Sequence, residues 1–424
     1  MTRFSECSAE PPQLLGALAE VDRLCERRAL ELANRGRYLA SPNPLVGAVI
    51  VHTSASNMRI IGEGWHSMYG QAHAEINAIE DCKRRYGAEA DALLAGSTLY
   101  VNLEPCNHSG KTPPCTQAVL AAGITRVVFS MLDPHPKVRG SGIARLQAEG
   151  VQMEPGQFAQ EAALLNAGYL SHIRRSRPWV IVKMAASMDG KIGMANSTVR
   201  ISGARSMADV QSLRARCGAL LAGSGTVLVD DPRLDLRIGE MVDTDRQWLF
   251  QDGEQLRTPA LTRFILDRRL KLTADMRLFK AQDTQTVIFY SGNSDHDSAF
   301  VRNKLQMWER LGVAAYAVPE QDEKLDLQAV LEVMHSRGCY QVMTECGAEL
   351  AGSLLKQSLA DEIVLYKSPM MLGVNGLPLW QISDQMQISQ TGFHLQGVAV
   401  FEEDVCLNYV SKASMQALMA TGQE

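Results

Sequence analysis

Short apolar runs of strand composition alternate with stretches of helical periodicity along almost the whole of this 424-residue chain. Such a pattern has to bury its strands beneath helices, which points to a layered α/β architecture with a largely parallel sheet. In the first series, residues 1–20 read as a loose extension and Val21–Leu32 as an amphipathic helix. The turn cluster Ser41-Pro42-Asn43-Pro44 follows. Strands are then predicted at Val46–Val51 and Ile60–His66, joined through the polar segment 52–59 as a hairpin. Ala72–Tyr86 is predicted helical and Thr98–Leu103 a strand. Thr112 is placed to cap a helix that opens on Pro113 and Pro114 and runs to about Ala122, with Gly123 positioned to end it. Arg126–Met131 is a further strand.

Between Gly168 and Pro178 the pattern breaks into a basic, proline-ended segment, His172-Ile173-Arg174-Arg175-Ser176-Arg177-Pro178, which is expected to be a domain boundary. A second α/β series follows. Its predicted strands are Trp179–Ala185, Ala219–Ala222, Phe264–Asp267, Val287–Tyr290, Val313–Val318, Gln341–Thr344 and Ile363–Tyr366. Helices are predicted near Ser206–Cys217, Ser298–Leu311, Leu327–Arg337 and Glu349–Leu359. Segment 238–260 reads as an exposed irregular loop. Length alone suits two or three domains, and the expected division is 21–170 and 178–412 after the extension.

Composition excludes several classes. No run approaches the ~18 apolar residues of a membrane span. Met1 to Pro12 carries Glu6 and Glu10 and no apolar core of a secretory signal, so a cytoplasmic location is expected. Nine irregularly spaced cysteines do not form a disulfide framework. A formal net charge of −5 argues against a nucleic-acid partner, while leaving room for a small phosphorylated substrate held by local arginines.

The chemistry concentrates in His73-Ala74-Glu75 and in Pro105-Cys106 through Pro114-Cys115. A catalytic zinc takes three protein ligands and keeps one tetrahedral position for water. One imidazole (His73) and two thiolates (Cys106, Cys115) meet that need, and a helix start beside a cysteine favours its thiolate. Glu75 is placed beside the water without binding the metal, to carry its proton to a leaving amine. This division of labour is the one known for zinc deaminases, whose cysteines usually have two residues between them; here there are eight. The competing reading is a closed structural site in which His108 supplies a fourth ligand.

These motifs, with Ser41-Pro42-Asn43-Pro44-Leu45-Val46-Gly47, Glu104-Pro105-Cys106 and Asp133-Pro134-His135-Pro136, resemble the deaminase half of the bacterial bifunctional riboflavin-biosynthesis deaminase–reductases. The second half resembles the same family through Lys183-Met184-Ala185-Ala186-Ser187-Met188-Asp189-Gly190-Lys191, Gly225-Thr226-Val227-Leu228-Val229-Asp230-Asp231-Pro232 and Glu345-Cys346-Gly347. The match runs over roughly residues 22–410. It implies a cytidine-deaminase-like three-layer domain followed by a dihydrofolate-reductase-like domain. It also implies zinc-dependent deamination of a diaminopyrimidine ribosylamino 5′-phosphate, then NADPH-dependent reduction of its ribosyl group to ribityl.

The resemblance implies residue roles as well. Asn43 and the Asp133–Gly142 loop lie around the pyrimidine. Ala185, Thr226, Asp230 and the run Gly347, Ala348, Glu349, Leu350, Ala351, Gly352 and Ser353 contact NADPH. As a dinucleotide fingerprint in its own right, Gly223-Ser224-Gly225 is weak, because it lacks the third glycine. Thr198, Arg214 and Arg237 meet the substrate phosphate with Leu234 alongside, and Glu345 binds substrate. Lys183 and Asp189 fall in a family motif with their roles open. Arg200 and Arg268 depart from the family, standing where it often has a tryptophan and a small hydroxyl residue, and are candidates for the NADPH 2′-phosphate. A homo-oligomer, dimer or tetramer, is expected by the same resemblance. Two other readings compete: a nucleoside or tRNA deaminase with an accessory domain, and an inactive scaffold. The eight-residue spacing and the reductase motifs speak against the first, and the intact His73, Glu75, Cys106 and Cys115 against the second.

Overall fold

The structure is a computed structural model that describes residues 13–14, 18–54, 57–108, 113–136, 138–195, 199–251, 255–281, 284–293, 298–381 and 392–420. The chain forms two compact units, Met1–Ile173 and Arg174–Glu424. Thr112 and Thr198 lie outside the described residues, as does most of the expected N-terminal extension.

In the first unit, α1 (Leu18–Ala33) starts three residues before the expected helix and covers one face of a sheet. Strands β1 (Gly47–Ser54) and β2 (Asn57–Trp65) form the expected hairpin. Helix α2 (Ala74–Tyr86) follows, then β3 (Thr98–Val101), α3 (Cys115–Ala121), β4 (Arg126–Phe129), α4 (Ser141–Ala148) and β5 (Gln152–Pro155). The sheet order is β2-β1-β3-β4-β5, with Gln13–Leu14 added at the β2 edge. Here the expectation of a largely parallel sheet needs correction. A tight hairpin forces β1 and β2 antiparallel, and β3 also runs antiparallel to β1. Only the β3–β4 and β4–β5 pairs are parallel. A side chain at Gly64 would put its Cβ 2.4 Å from both the Ala74 carbonyl oxygen and the Ala78 nitrogen. Glycine therefore lets the start of α2 lie directly on β2. Ile50, Ile61, Leu99, Val101 and Val127 fill the core between the sheet and α2, each at most 1% exposed.

The segment expected to mark the domain boundary is largely a helix, α6 (Ala167–Arg175), after α5 (Ala159–Leu165). Leu170 and Ser171 on α6 are fully buried, so the basic residues ride on a helix whose other face packs. The division between the two units falls within it.

The second unit is built on one long sheet. Its elements are β6 (Trp179–Ala186), α7 (Ala204–Cys217), β7 (Ala219–Gly223), α8 (Ser224–Asp230), β8 (Thr262–Leu266), β9 (Gln285–Ser291), α9 (Ser298–Arg310) and β10 (Ala314–Val318). Then come α10 (Leu327–Ser336), β11 (Gln341–Glu345), α11 (Ala348–Lys356), β12 (Glu362–Lys367), β13 (Phe393–Phe401), β14 (Asp404–Ser411) and α12 (Lys412–Met419). The order is β10-β9-β8-β7-β11-β6-β12-β14-β13, parallel as far as β12. Strand β6 lies in the interior of this sheet, and Trp179, Val180, Ile181 and Val182 are each at most 1% exposed. The part of a strand covered on both faces has to be apolar, which is why Trp179–Val182 reads as a continuous run. Val330, Leu331 and Met334 of α10 and Leu354 of α11 pack over one face. Truncating Leu331, Met334 or Leu354 to alanine costs ~2–5 kcal/mol.

One sequence expectation fails in this unit and one feature was missed. Segment 238–260 is not a plain exposed loop. It contains short helical turns at Ile238–Glu240, Asp243–Arg246 and Gln247–Leu249, with Met241 and Leu249 buried. The β13–β14 hairpin, antiparallel to β12 and to itself, was not anticipated. Gly397 and the register shift beside it interrupt the alternation that would have revealed β13. Among the described residues, no helix is long and apolar enough to cross a membrane.

Candidate functional site

The first site is assembled at helix starts. His73 is the extended residue immediately before α2, and Glu75 sits in that helix's first turn, where the dipole favours an acid. Cys115 is the first residue of α3 after Pro114, so the helix begins two residues later than proline placement suggests. Cys106 lies beyond the carboxyl end of β3. The Cys115 N–H donates to the Cys106 sulfur at 3.4 Å, and the His73 Nδ1 is 3.2 Å from the Cys115 sulfur and 3.5 Å from that of Cys106. All three donor atoms lie within 4.8 Å of one another. In a tetrahedral zinc site, metal–ligand bonds of ~2.0 and ~2.3 Å separate nitrogen and sulfur ligands by about 3.6 Å. The donor set therefore fits zinc in both chemistry and spacing. His108 is exposed and does not join the group, so among the described residues the set stays at three, as an open catalytic site requires.

The electrostatics follow from those contacts. Hydrogen bonds from Cys115, against the opposing effect of burial, and then from His73 pull the Cys106 thiol down to about 4. Cys115 is driven well up by the same bond to Cys106 and by burial. The Cys106 hydrogen bond raises His73. Glu75 is 3% exposed, and burial, then the Cys106 charge, push its carboxyl up. A raised carboxyl is suited to shuttling a proton, because it can both accept and return one.

Asn43 reaches this site through a residue that sequence reasoning missed. The Asn43 Nδ2 lies 3.0 Å from the His66 Nε2, and the His66 Nδ1 lies 3.0 Å from the Ala72 carbonyl oxygen. The carbonyl can only accept, so Nδ1 carries the proton and Nε2 accepts from the amide. Burial, and then the neighbouring His73, hold His66 below its ordinary value, in keeping with that neutral tautomer. Its ring meets His73 edge-on with centroids 5.4 Å apart. A histidine closing the predicted strand Ile60–His66 was the available signal.

In the second unit, Glu345 ends β11 and stands in register with Lys183 on β6. Arg214, 5% exposed, donates from Nε to Glu345 at 3.0 Å and from Nη1 to the Asp235 carbonyl. Burial raises the Glu345 carboxyl, but Arg214, Lys183 and Arg237 outweigh it and hold it below the usual range. Arg237 pairs with Asp235 at 3.0 Å and Glu240 at 2.7 Å. Leu234 is buried with φ +49°, an uncommon backbone for a leucine and one that marks a constrained segment. The candidate phosphate arginines are thus already held by carboxylates, Arg214 by Glu345 and Arg237 by Asp235 and Glu240.

Strands β7 and β11 are adjacent and parallel, and each runs into a helix whose first N–H groups have no side-chain cap. Thr226 and Asp230 lie on α8, and Gly347, Ala348 and Glu349 open α11. Two such helix starts at the carboxyl ends of neighbouring strands suit a dinucleotide's phosphates. Leu350 and Ala351 pack toward the sheet core, and a Cβ on Gly352 would meet the Gln381 carbonyl oxygen at 2.5 Å. The Ser353 hydroxyl is 3.5 Å from the Lys324 amine. Ala185 lies on β6, Arg200 is exposed, and Arg268 pairs with Glu320 at 3.2 Å. Asp189 ties its own turn to the distant segment at Leu372 and Gly373. It accepts from the Ser187 hydroxyl at 2.5 Å and from the N–H groups of Leu372 and Gly373 at 3.1 and 2.7 Å, and these hold its carboxyl at about 2.

The family described as "RibD C-terminal domain" matches residues 178–407, and "Cytidine and deoxycytidylate deaminase zinc-binding region" matches residues 19–131. A riboflavin biosynthesis protein RibD from Escherichia coli K12 is 36% identical over 385 residues, spanning 90% of this chain and 97% of that protein. The chain belongs to the RibD family. Another RibD, from Haemophilus influenzae, is 32% identical over 91% of this chain and 96% of its own. The solved RibD of Acinetobacter baumannii is 31% identical, with a TM-score of 0.74 over 92% of this chain and 99% of that one. A Thermotoga maritima structure titled as a diaminohydroxyphosphoribosylaminopyrimidine deaminase and 5-amino-6-(5-phosphoribosylamino)uracil reductase is 27% identical, with a TM-score of 0.72 over 93% and 100%. This RibD-family chain is accordingly a bifunctional deaminase and reductase of riboflavin biosynthesis, with a zinc-type deaminase domain ahead of the reductase domain.

Proposed function

We propose that the deaminase half, over about residues 21–170, hydrolyses the ring amino group of 2,5-diamino-6-ribosylamino-4(3H)-pyrimidinone 5′-phosphate. The reductase half, over about 178–412, then reduces the ribosyl side chain with NADPH. The observation that carries the first step is the buried Glu75 beside a His73, Cys106 and Cys115 donor set spaced for zinc. Zinc bound there would supply Lewis-acid polarisation of the attacking water. Glu75 takes the proton of that water and returns it to the departing amine. The Asn43 amide, steadied by His66, leaves its oxygen and second N–H to read a pyrimidine edge.

In the reductase half, Arg214 and Arg237, with Thr198 and Leu234, orient the phosphorylated sugar, and Glu345 takes its hydroxyl groups. The uncapped starts of α8 and α11, with Ala185, Thr226, Asp230 and residues Gly347 to Ser353, hold NADPH, which supplies the hydride. Arg200 and Arg268 address its 2′-phosphate. Replacing both with alanine raises KM for NADPH roughly tenfold more than KM for NADH, the scale of a lost charge-assisted hydrogen bond; equal effects on both would reject that role. We also propose that the enzyme works as a homo-oligomer, which sedimentation of the purified chain tests.

The two steps separate experimentally. A chelator that strips zinc abolishes ammonia release from the diaminopyrimidine phosphate. NADPH oxidation on the deaminated product continues at its original rate, and added zinc restores the first step. Ammonia release that survives verified metal removal would overturn the assignment.

A further inference from the structure

We propose that Glu104 is a positioning residue that pins the β4–α4 connection against the zinc-ligand loop and so fixes one wall of the deaminase site. This rests on the deaminase reading above. Glu104 is 3% exposed, and its carboxylate is held by main-chain donors. Its Oε1 accepts from the Gly142 and Ile143 N–H groups at 3.0 and 3.4 Å. Its Oε2 accepts from those of Gly140 and Asp133 at 2.9 and 3.4 Å.

Those four donors lie at the two ends of one connection. Gly140 is the cap residue of α4 and has no side chain, so the first-turn N–H groups of α4 need an acceptor from elsewhere. Glu104 provides it from another element, and with its second oxygen it also ties down Asp133 at the start of the same connection. Strands β3 and β4 are adjacent and parallel, so their carboxyl-terminal connections leave the sheet side by side, where α/β sheets place ligands. One of these connections carries Cys106, two residues after Glu104.

Further contacts join the same parts. The Asn107 Nδ2, next to Cys106, donates to the Ser141 carbonyl at 3.3 Å. The Thr116 hydroxyl, next to Cys115, donates to the Asn107 Oδ1 at 2.9 Å. A Cβ on Gly142 would stand 2.0 Å from the Pro105 carbonyl oxygen, so the first turn of α4 touches the ligand loop's backbone at a point where only glycine fits. A carboxylate is the side chain that serves four N–H donors at once. In Glu104→Gln, one oxygen becomes an NH2 that faces two of them.

The test compares the full chain with Glu104→Gln and Gly142→Ala, reading kcat and KM for ammonia release, zinc per chain, and reductase activity on the deaminated product. For Glu104→Gln, kcat/KM falls on the order of 10²-fold, with KM raised and zinc content and reductase activity unchanged, since a wall displaced by about 1 Å has that effect. Gly142→Ala raises KM in the same direction with the carboxylate intact. Amide exchange of Gly140, Gly142 and Ile143 quickens in Glu104→Gln, a readout that needs no substrate. KM at the wild-type value or unchanged exchange overturns the proposal. So does loss of zinc or solubility in Glu104→Gln, which would assign Glu104 to the fold alone. A wild-type chain that releases no ammonia overturns the deaminase reading instead, and the exchange result still decides whether Glu104 pins the connection.

Discussion

Glu75→Gln is expected to lower ammonia release by about 10²–10⁴-fold, the range that a positioned general acid–base contributes. The amide has nearly the size and shape of the carboxyl, so the first turn of α2 and the donor set of His73, Cys106 and Cys115 stay in place. Bound zinc should remain at the wild-type level. What is lost is the ability to accept a proton and give it back. Glu75 is 3% exposed, and burial already pushes its carboxyl up, so bulk water is poorly placed to substitute for it. Reduction of the deaminated product is untouched, which serves as the control for folding. Activity within threefold of wild type, or zinc lost along with activity, would reject the role given to Glu75.

Asp361→Ala carries the largest expected cost to stability. Asp361 is fully buried where β6 and β12 begin. It accepts from Arg175 at 2.8 Å, Arg177 at 2.7 Å, the Val180 N–H at 2.8 Å and the Ser414 hydroxyl at 2.6 Å. One carboxylate thus joins the end of α6, the start of β6 and the last helix, α12. Removing it takes a carboxylate away from the guanidinium of Arg177, itself 5% exposed, and from that of Arg175. Breaking a buried pair from one side costs ~3–5 kcal/mol. For a unit of this size that lowers the midpoint of thermal unfolding by roughly 10 °C. Thermal melts of the full chain, with reductase activity as a local reporter, measure it. A midpoint within about 2 °C of wild type would show that the cluster contributes little.

Much of the site is legible in the residues because its chemistry is compact in sequence. His73 and Glu75 are two positions apart, and Cys106 and Cys115 nine, with prolines marking the start of α3. A helix start and a strand end are enough to bring such donors together. The reductase residues are legible only by family resemblance, since an isolated arginine carries no local signal. The pairing of Arg214 with Glu345 joins positions 131 residues apart. His66, and the contacts of Glu104, escaped for the same reason: their partners, Asn43, Gly140 and Gly142, lie elsewhere in the chain.

The alternation of apolar runs with helical stretches is a local property, readable because each strand and helix must bury a face whatever its neighbours are. From it the α/β class and two successive series follow, and the zinc-ligand spacing is read directly from the positions of His73, Cys106 and Cys115. Strand partners are a different matter. That β3 pairs antiparallel with β1, that β13 and β14 close the second sheet, and that residues 167–175 form a helix depend on backbone hydrogen bonds and packing between distant segments. Those contacts also aim the side chains, turning a list of donors into a zinc-sized group with the buried carboxyl of Glu75 beside it.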